Sequence, residues 1–205
     1  MPSLSDLVKE TANQQGEARI TLTSSYGYKW ANKLNYTSLT TRIPNDGTSL
    51  HDLNGGWHRY CDSKLAVLYL ALQLNAHLSS KKIDNVFVNA CHPRNAPKTD
   101  IGDGQQPLVN PFFQRALKNF LGLFLRNSTQ DAAKTQVTLS ASKMVGEEKV
   151  RGEFWAPIFD WWGYYLKSDK EELATKLAMD EEEWKKLWDC CEGAVKKYDE
   201  GRAER

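Results

Sequence analysis

Two short β-type runs on either side of a long helical pattern constrain this chain most. Arg19-Ile20-Thr21-Leu22-Thr23-Ser24-Ser25 mixes β-branched and apolar residues and ends in two hydroxyls, as a short strand opening into a loop does. Asn85-Val86-Phe87-Val88-Asn89-Ala90 is a second such run, apolar enough for a strand buried on both faces. Between them, Lys64 to Leu78 carries Leu65, Leu68 and Leu72 at helical spacing. Strand, helix and strand in that order make a crossover unit, and crossovers join parallel strands. Parallel sheets place their chemistry beyond the carboxyl ends of the strands. Ser24, Ser25 and the loop that begins Cys91-His92-Pro93-Arg94 are therefore expected on one edge.

The remainder of the chain supports a single α/β domain over residues 1–205. With 40% hydrophobic and 11% aromatic residues a sizeable core is available, and 26% charged residues is ordinary for a protein surface. A net charge of +1 and the lack of any basic block argue against capture of nucleic acid. No zinc-type Cys/His spacing occurs, and His92 has no second ligand at metal-binding spacing, so no metal site is expected. Cys61, Cys91 and the adjacent Cys190-Cys191 are read as reduced thiols, with a vicinal disulfide at the adjacent pair as the alternative. Met1 to Asp6 lacks the apolar core of a signal peptide, and no apolar run reaches the roughly 20 residues of a spanning helix. A cytoplasmic protein with no transmembrane segment is the expectation.

Local signals fill in the order. Ser3 with Asp6 starts a first helix whose apolar stripe is Leu4, Leu7 and Val8, and Gly16 ends it. Pro44, Asn45-Asp46-Gly47 and Gly55-Gly56 predict a long polar loop from Trp30 to Trp57, either a pocket wall or plain surface. Pro107 to Leu125 is strongly apolar, with Leu108, Phe112 and Phe113 as a lid, core or membrane-contact segment. Ser128 with Asp131 begins another helix, Gly152 to Pro157 is a last short strand, and Asp180 to Lys197 is a terminal helix with Trp184, Leu187, Trp188 and Cys191 on one face.

Tyr60 and Lys64 stand one helical turn apart, which puts phenol and ammonium on one helix face. An ammonium beside a phenol favours the phenolate, so the pair is suited to proton transfer. With eight tyrosines in the chain such a spacing also arises by chance. Taken in order, Arg-Ile-x-x-x-Ser-Ser at Arg19 to Ser25, Tyr-x-x-x-Lys-Leu-Ala at Tyr60 to Ala66, and the Asn-x-x-His-Pro loop from Asn89 with Thr99 following are more specific. In these pieces, and in the tail near Trp188 and Cys191, the chain resembles the short-chain dehydrogenase/reductase family, in its retinol-dehydrogenase-like branch with many fungal members.

The resemblance implies a partial doubly wound parallel sheet with helices on both faces, equivalent to the C-terminal part of that fold. It implies an oxidoreductase moving a hydride between NADP or NAD and a carbonyl or alcohol of an apolar small molecule. Ser25, with Ser24 as the alternative, would bond the substrate carbonyl; Tyr60 would give or take the proton; Lys64 would assist Tyr60 and hold the nicotinamide ribose. Ala96 and Thr99 would meet the cofactor, and Leu108, Phe112 and Phe113 would line the substrate pocket. Arg94 stands where that branch usually has glycine after His-Pro. The glycine-rich turn that seats the pyrophosphate at a helix N-terminus has no counterpart in these 205 residues. Two further readings stay open: a non-catalytic interaction protein, and a redox-free acid–base cyclase or isomerase using Ser25, Tyr60 and Lys64. Homo-oligomers are expected through an uncovered strand edge near Ile20 and Leu22 or through the helix after Tyr60.

Overall fold

A computed structural model of the chain describes residues 4–31, 33, 34, 36, 50–93, 129–159 and 165–203. Ala96, Thr99, Leu108, Phe112 and Phe113 lie outside them, as do Arg94 and the apolar segment of Pro107 to Leu125. A four-stranded sheet runs in the order β1 (Ala18–Thr23), β2 (Val86–Cys91), β3 (Phe154–Phe159) and β4 (Tyr165–Glu171). The first three strands are parallel. β1 and β2 pair along their whole length, from Ala18↔Val86 to Thr23↔Cys91, whereas β2 and β3 share only Ala90↔Phe154 and Cys91↔Trp155. β3 thus starts level with the end of β2 and runs on past the carboxyl edge of β1 and β2. The fourth strand was not expected from the sequence and is antiparallel, pairing Phe154↔Glu171 through Ile158↔Lys167.

Helices cover both faces. β2 is buried along all six residues, and its alternate side chains point to opposite sides. Val86, Val88 and Ala90 join one core with Ala12 of α1 (Leu4–Gln15), Leu65, Leu68, Tyr69 and Leu72 of α2 (Leu50–Ser80), and Leu187 of α5 (Glu181–Ala203). Phe87 and Cys91 join a second core with Trp155, Leu139 of α3 (Thr129–Ala141) and Val145 of α4 (Lys143–Glu147). Burying each leucine fully is worth about 1.5–3 kcal/mol. These three α2 leucines, expected at a subunit interface, are 0%, 0% and 7% exposed and spend their apolar surface on this chain's own core. Ile20 and Leu22 likewise pack partly against the first core. Among the described residues β1 ends the sheet, with no strand on its other side.

The segment expected as loop from Trp30 to Trp57 is helical from Leu50 onward. Gly55-Gly56 is a poor helix former by about 1 kcal/mol per glycine, yet it is carried inside a helix of 31 residues whose later turns are anchored in the core. α1 ends at Gly16, whose φ of +84° suits a residue without Cβ. α5 is capped by Asp180, whose Oδ1 accepts from the Glu182 and Glu183 amides at 3.1 and 3.3 Å.

Glu183 is 1% exposed, and its carboxylate is met by Lys186 at 2.8 Å, Lys33 at 3.2 Å and the Tyr36 hydroxyl at 3.1 Å. Lys186 above all, then Lys33 and Tyr36, hold it below the usual carboxylate range against the effect of burial. All four cysteines are free thiols. Among the described residues no helix is long and apolar enough to cross a membrane.

Candidate functional site

The candidate site lies at the carboxyl end of β1, where the chain leaves the sheet. Ser24 still belongs to the sheet: its amide donates to Cys91 O at 2.8 Å, and its hydroxyl donates to Lys64 O at 2.7 Å. That hydroxyl is 1% exposed and committed to the helix backbone. Of the two serines left open by the sequence, Ser24 therefore docks α2 on β1 and Ser25 faces the loop. Ser25 caps a 3-10 turn, Tyr26–Trp30, by accepting the Gly27 amide at 3.2 Å. The bond uses one lone pair of Ser25 Oγ and leaves its proton to be donated elsewhere.

Tyr60 reaches the same place from α2. A Cβ built on Gly27 would lie 2.8 Å from Tyr60 Cε1 and 3.7 Å from Ser25 Oγ, so the Tyr60 ring and the Ser25 hydroxyl flank one glycine. The ring occupies the space a side chain would take, so a residue without Cβ lets it sit against the backbone there. One turn along, Lys64 Nζ sits 5.6 Å from the centre of the Tyr60 ring and bonds Thr23 O at 3.4 Å. Ser24 on Lys64 O and Lys64 on Thr23 O close two ties between α2 and the end of β1. Ser25, Tyr60 and Lys64, separate in the sequence, thus share one corner of the sheet edge.

A second group borders this corner. The Tyr26 hydroxyl donates to one oxygen of Glu171, at the end of β4, and Lys29 Nζ bonds the other at 2.7 Å. Lys29 also lies 4.2 Å from the centre of the Tyr26 ring. On Tyr26 packs His92, with ring centres 4.1 Å apart, and the Tyr26 amide donates to His92 Nδ1 at 3.4 Å. Nδ1 is then the acceptor, which puts the proton of the neutral imidazole on Nε2. Burial pushes the His92 pKa down to about 4, against the opposing charge of Glu171. Burial, and then the bond to Glu171, push the Tyr26 phenol well above its ordinary range, so it stays a neutral donor.

The sequence pointed to His92 only as part of a loop and missed Tyr26, Lys29 and Glu171. The first two stand in an aromatic-rich run directly after Ser25, which was a usable signal. Glu171 had none, because its partners are more than 140 positions away. Asn89 of the Asn-x-x-His-Pro stretch has a structural task. Its amide donates to Val150 O at 2.8 Å and its oxygen accepts the Glu153 amide at 3.1 Å, which fixes the entry to β3.

Chemically, the corner holds a hydroxyl donor at Ser25, a phenol at Tyr60 and an ammonium at Lys64, rimmed by a neutral imidazole and an ion pair. Such a set suits polarising a carbonyl and moving a proton to or from its oxygen. No protein-family profile and no curated protein matches the chain. Among solved structures it is similar to an uncharacterized protein from Mycobacterium paratuberculosis, at 19% identity and a TM-score of 0.49. The alignment covers 87% of this chain and 50% of that one, so the chain spans about half the length of this neighbour.

Proposed function

We propose that the chain carries the catalytic corner of a short-chain dehydrogenase/reductase, reducing a carbonyl or oxidising an alcohol of an apolar small molecule with NADP or NAD. The observation that supports it is the convergence of Ser25 and Tyr60 on Gly27 at the carboxyl end of β1, with Lys64 beside the Tyr60 ring. Three parallel strands in sequential order, with helices on both faces, are what one flank of a doubly wound sheet would contain. On this reading β1 borders the place of the strands that such a sheet has beyond it.

In the reductive direction Ser25 donates its proton in a hydrogen bond to the substrate oxygen and so stabilises the charge that develops there. Tyr60 delivers a proton to that oxygen from the adjoining side, and in the oxidative direction takes one from the alcohol. Lys64, held by Thr23 O, places a positive charge beside the Tyr60 ring and offers donors to ribose hydroxyls. NAD(P), when bound, supplies or accepts the hydride. Of the described residues, Tyr60 and Lys64 would hold its nicotinamide-ribose end through their hydroxyl and ammonium donors. A glycine-rich strand-to-helix turn for the pyrophosphate is absent from the 205 residues, so weak affinity of this chain for the dinucleotide is part of the proposal. Ala96 and Thr99 are assigned to the cofactor, and Leu108, Phe112 and Phe113 to the apolar pocket, by the family resemblance.

A second reading is a redox-free acid–base catalyst built on the same three residues, since Ser25 as hydroxyl donor with Tyr60 and Lys64 can move a proton without a hydride. Turnover of apolar ketones and alcohols with saturating NADPH, NADH or their oxidised forms, in wild type and Tyr60→Phe, tests the proposal. Tyr60→Phe should lower turnover by about 10²–10⁴-fold. Full activity in Tyr60→Phe would overturn the assignment, and isomerisation without any nicotinamide would favour the second reading.

A further inference from the structure

We infer that the outer half of α5 is a self-association surface, on which the same helix of a second copy of this chain packs antiparallel. The inference rests on α5 and is independent of the catalytic reading. From Cys191 to Gly201 every residue of the helix is exposed, so about three turns present their side chains to solvent. Along them runs an apolar seam, Trp188, Cys191, Val195 and Tyr198, at the alternating three- and four-residue spacing that two paired helices use. Val195 is 60% and Tyr198 69% exposed, more than a helix of ordinary amphipathic character leaves on its apolar side.

The seam forms one wall of a groove of about 520 Å³ between α5 and α2, lined by Leu70, Trp188, Cys191 and Val195 together with four charged side chains of α5, Glu192 and Asp199 among them. Trp188 is fixed in it, stacked on His77 at 5.2 Å between ring centres and bonded through Nε1 to Glu192 at 2.8 Å. A preformed groove with an apolar wall beside an exposed tyrosine on the same helix is self-complementary, as a two-fold contact requires. With the helices antiparallel and Cys191 level with Val195 of the second copy, Tyr198 of the second copy falls level with Trp188, in the groove.

Charge decides the direction of pairing. In that register Lys185, which flanks the seam, comes beside Asp199 of the second copy, and the two-fold axis makes the contact twice. Antiparallel packing also sets each helix dipole against the other, where parallel packing would bring like ends together. One contact opposes the arrangement: Glu192 meets Glu192 of the second copy near the axis. Removing that charge should therefore tighten the pair, an effect that parallel packing or mere stabilisation of α5 does not give.

Sedimentation equilibrium of the full chain, with reductant to keep Cys191 from forming a disulfide, tests the inference from low micromolar to about 100 µM. Wild type should be a dimer within that range. Val195→Glu should weaken it by more than about tenfold with unchanged far-ultraviolet circular dichroism. Lys185→Glu and Asp199→Lys should each weaken it by roughly tenfold through two reversed pairs, while the double variant restores wild-type affinity. Glu192→Gln should tighten it. A monomer throughout, a dimer indifferent to Val195→Glu, a double variant that stays weak, or binding to phosphatidylcholine vesicles in place of self-association would each overturn the inference.

Discussion

Replacing Gly27 by alanine should separate the position of Tyr60 from the stability of the fold. The new Cβ would lie 2.8 Å from Tyr60 Cε1 and 3.3 Å from Cδ1. Unstrained carbon contacts are about 3.5–4.0 Å, so the ring must retreat by roughly 1 Å. Tyr60 is 40% exposed, and the retreat leads toward solvent without repacking the core. Gly27 has no positive φ to protect, and alanine reduces the freedom of the unfolded chain by about 0.4–1 kcal/mol. The net effect on stability should therefore stay within about 1 kcal/mol, or about 2–4 °C in Tm for a chain of this size. Catalysis is less tolerant, since a reacting group displaced by about 1 Å can lose about 10²-fold. Turnover and thermal unfolding measured on the same preparations should show a large fall in kcat with a nearly unchanged Tm. Wild-type turnover in Gly27→Ala would refute the view that the ring is positioned by this glycine. A Tm loss of many degrees would refute the separation.

The stability of the fold should also depend on His92. Its pKa is about 4 in the fold against 6.5 for the free side chain, so the unfolded chain binds the extra proton between those values. The contribution is complete above about pH 6.5 and is lost as the pH falls to about 4, by up to about 3 kcal/mol. His92→Gln should flatten that slope in urea titrations; an unaltered slope would assign it to other groups. Gly152→Ala should cost about 1–3 kcal/mol by urea midpoint, because φ is +68° and the Cβ would lie 2.6 Å from Asn75 Nδ2; an unshifted midpoint would contradict the geometry. Glu183→Ala should cost about 1–3 kcal/mol, since the buried carboxylate that ties Lys186, Lys33 and Tyr36 together is lost while both ammonium groups, more than half exposed, are left in water. Glu183→Gln should lose less because its side-chain oxygen still accepts from Lys186 and Lys33, whereas the Tyr36 hydroxyl keeps the Glu183 backbone oxygen in either variant, and equal losses would count against the hydrogen-bond account.

What the sequence disclosed follows from how local each signal was. Val86-Phe87-Val88 announced a doubly buried strand because burial on both faces removes any polar alternation. The Tyr60–Lys64 face and the capped start of α5 at Asp180 depend on neighbours within one helical turn. β4 was illegible for the opposite reason. Tyr165-Leu166-Lys167-Ser168-Asp169-Lys170-Glu171 is an edge strand with four of its seven residues charged, and pairing with β3 decides its conformation where propensity does not. Gly55-Gly56 misled because a turn signal inside a long helix is overruled by packing further along. The choice between Ser24 and Ser25 could not be made from composition, since the two differ only in which one the helix backbone captures.

The weak joint between β2 and β3 bears on the order of folding. β3 and β4 partners lie within 17 positions of each other, as Phe154 and Glu171 do, whereas Ala18 and Val86 are brought together across 68. The hairpin is kinetically local and can zip early, while the β1–β2 pair must wait for the crossover helix to close a long loop. Two register pairs and the backbone bonds of Gly152 to Val88, Ala90 to Glu153 and His92 to Trp155 join β2 and β3 over a short length, and hydrogen exchange should find the hairpin opening below the free energy of global unfolding. Each such opening carries Glu171 away from Tyr26 and Lys29. Exposure of β4 amides and loosening of the rim beside Ser25 should then proceed at one shared rate.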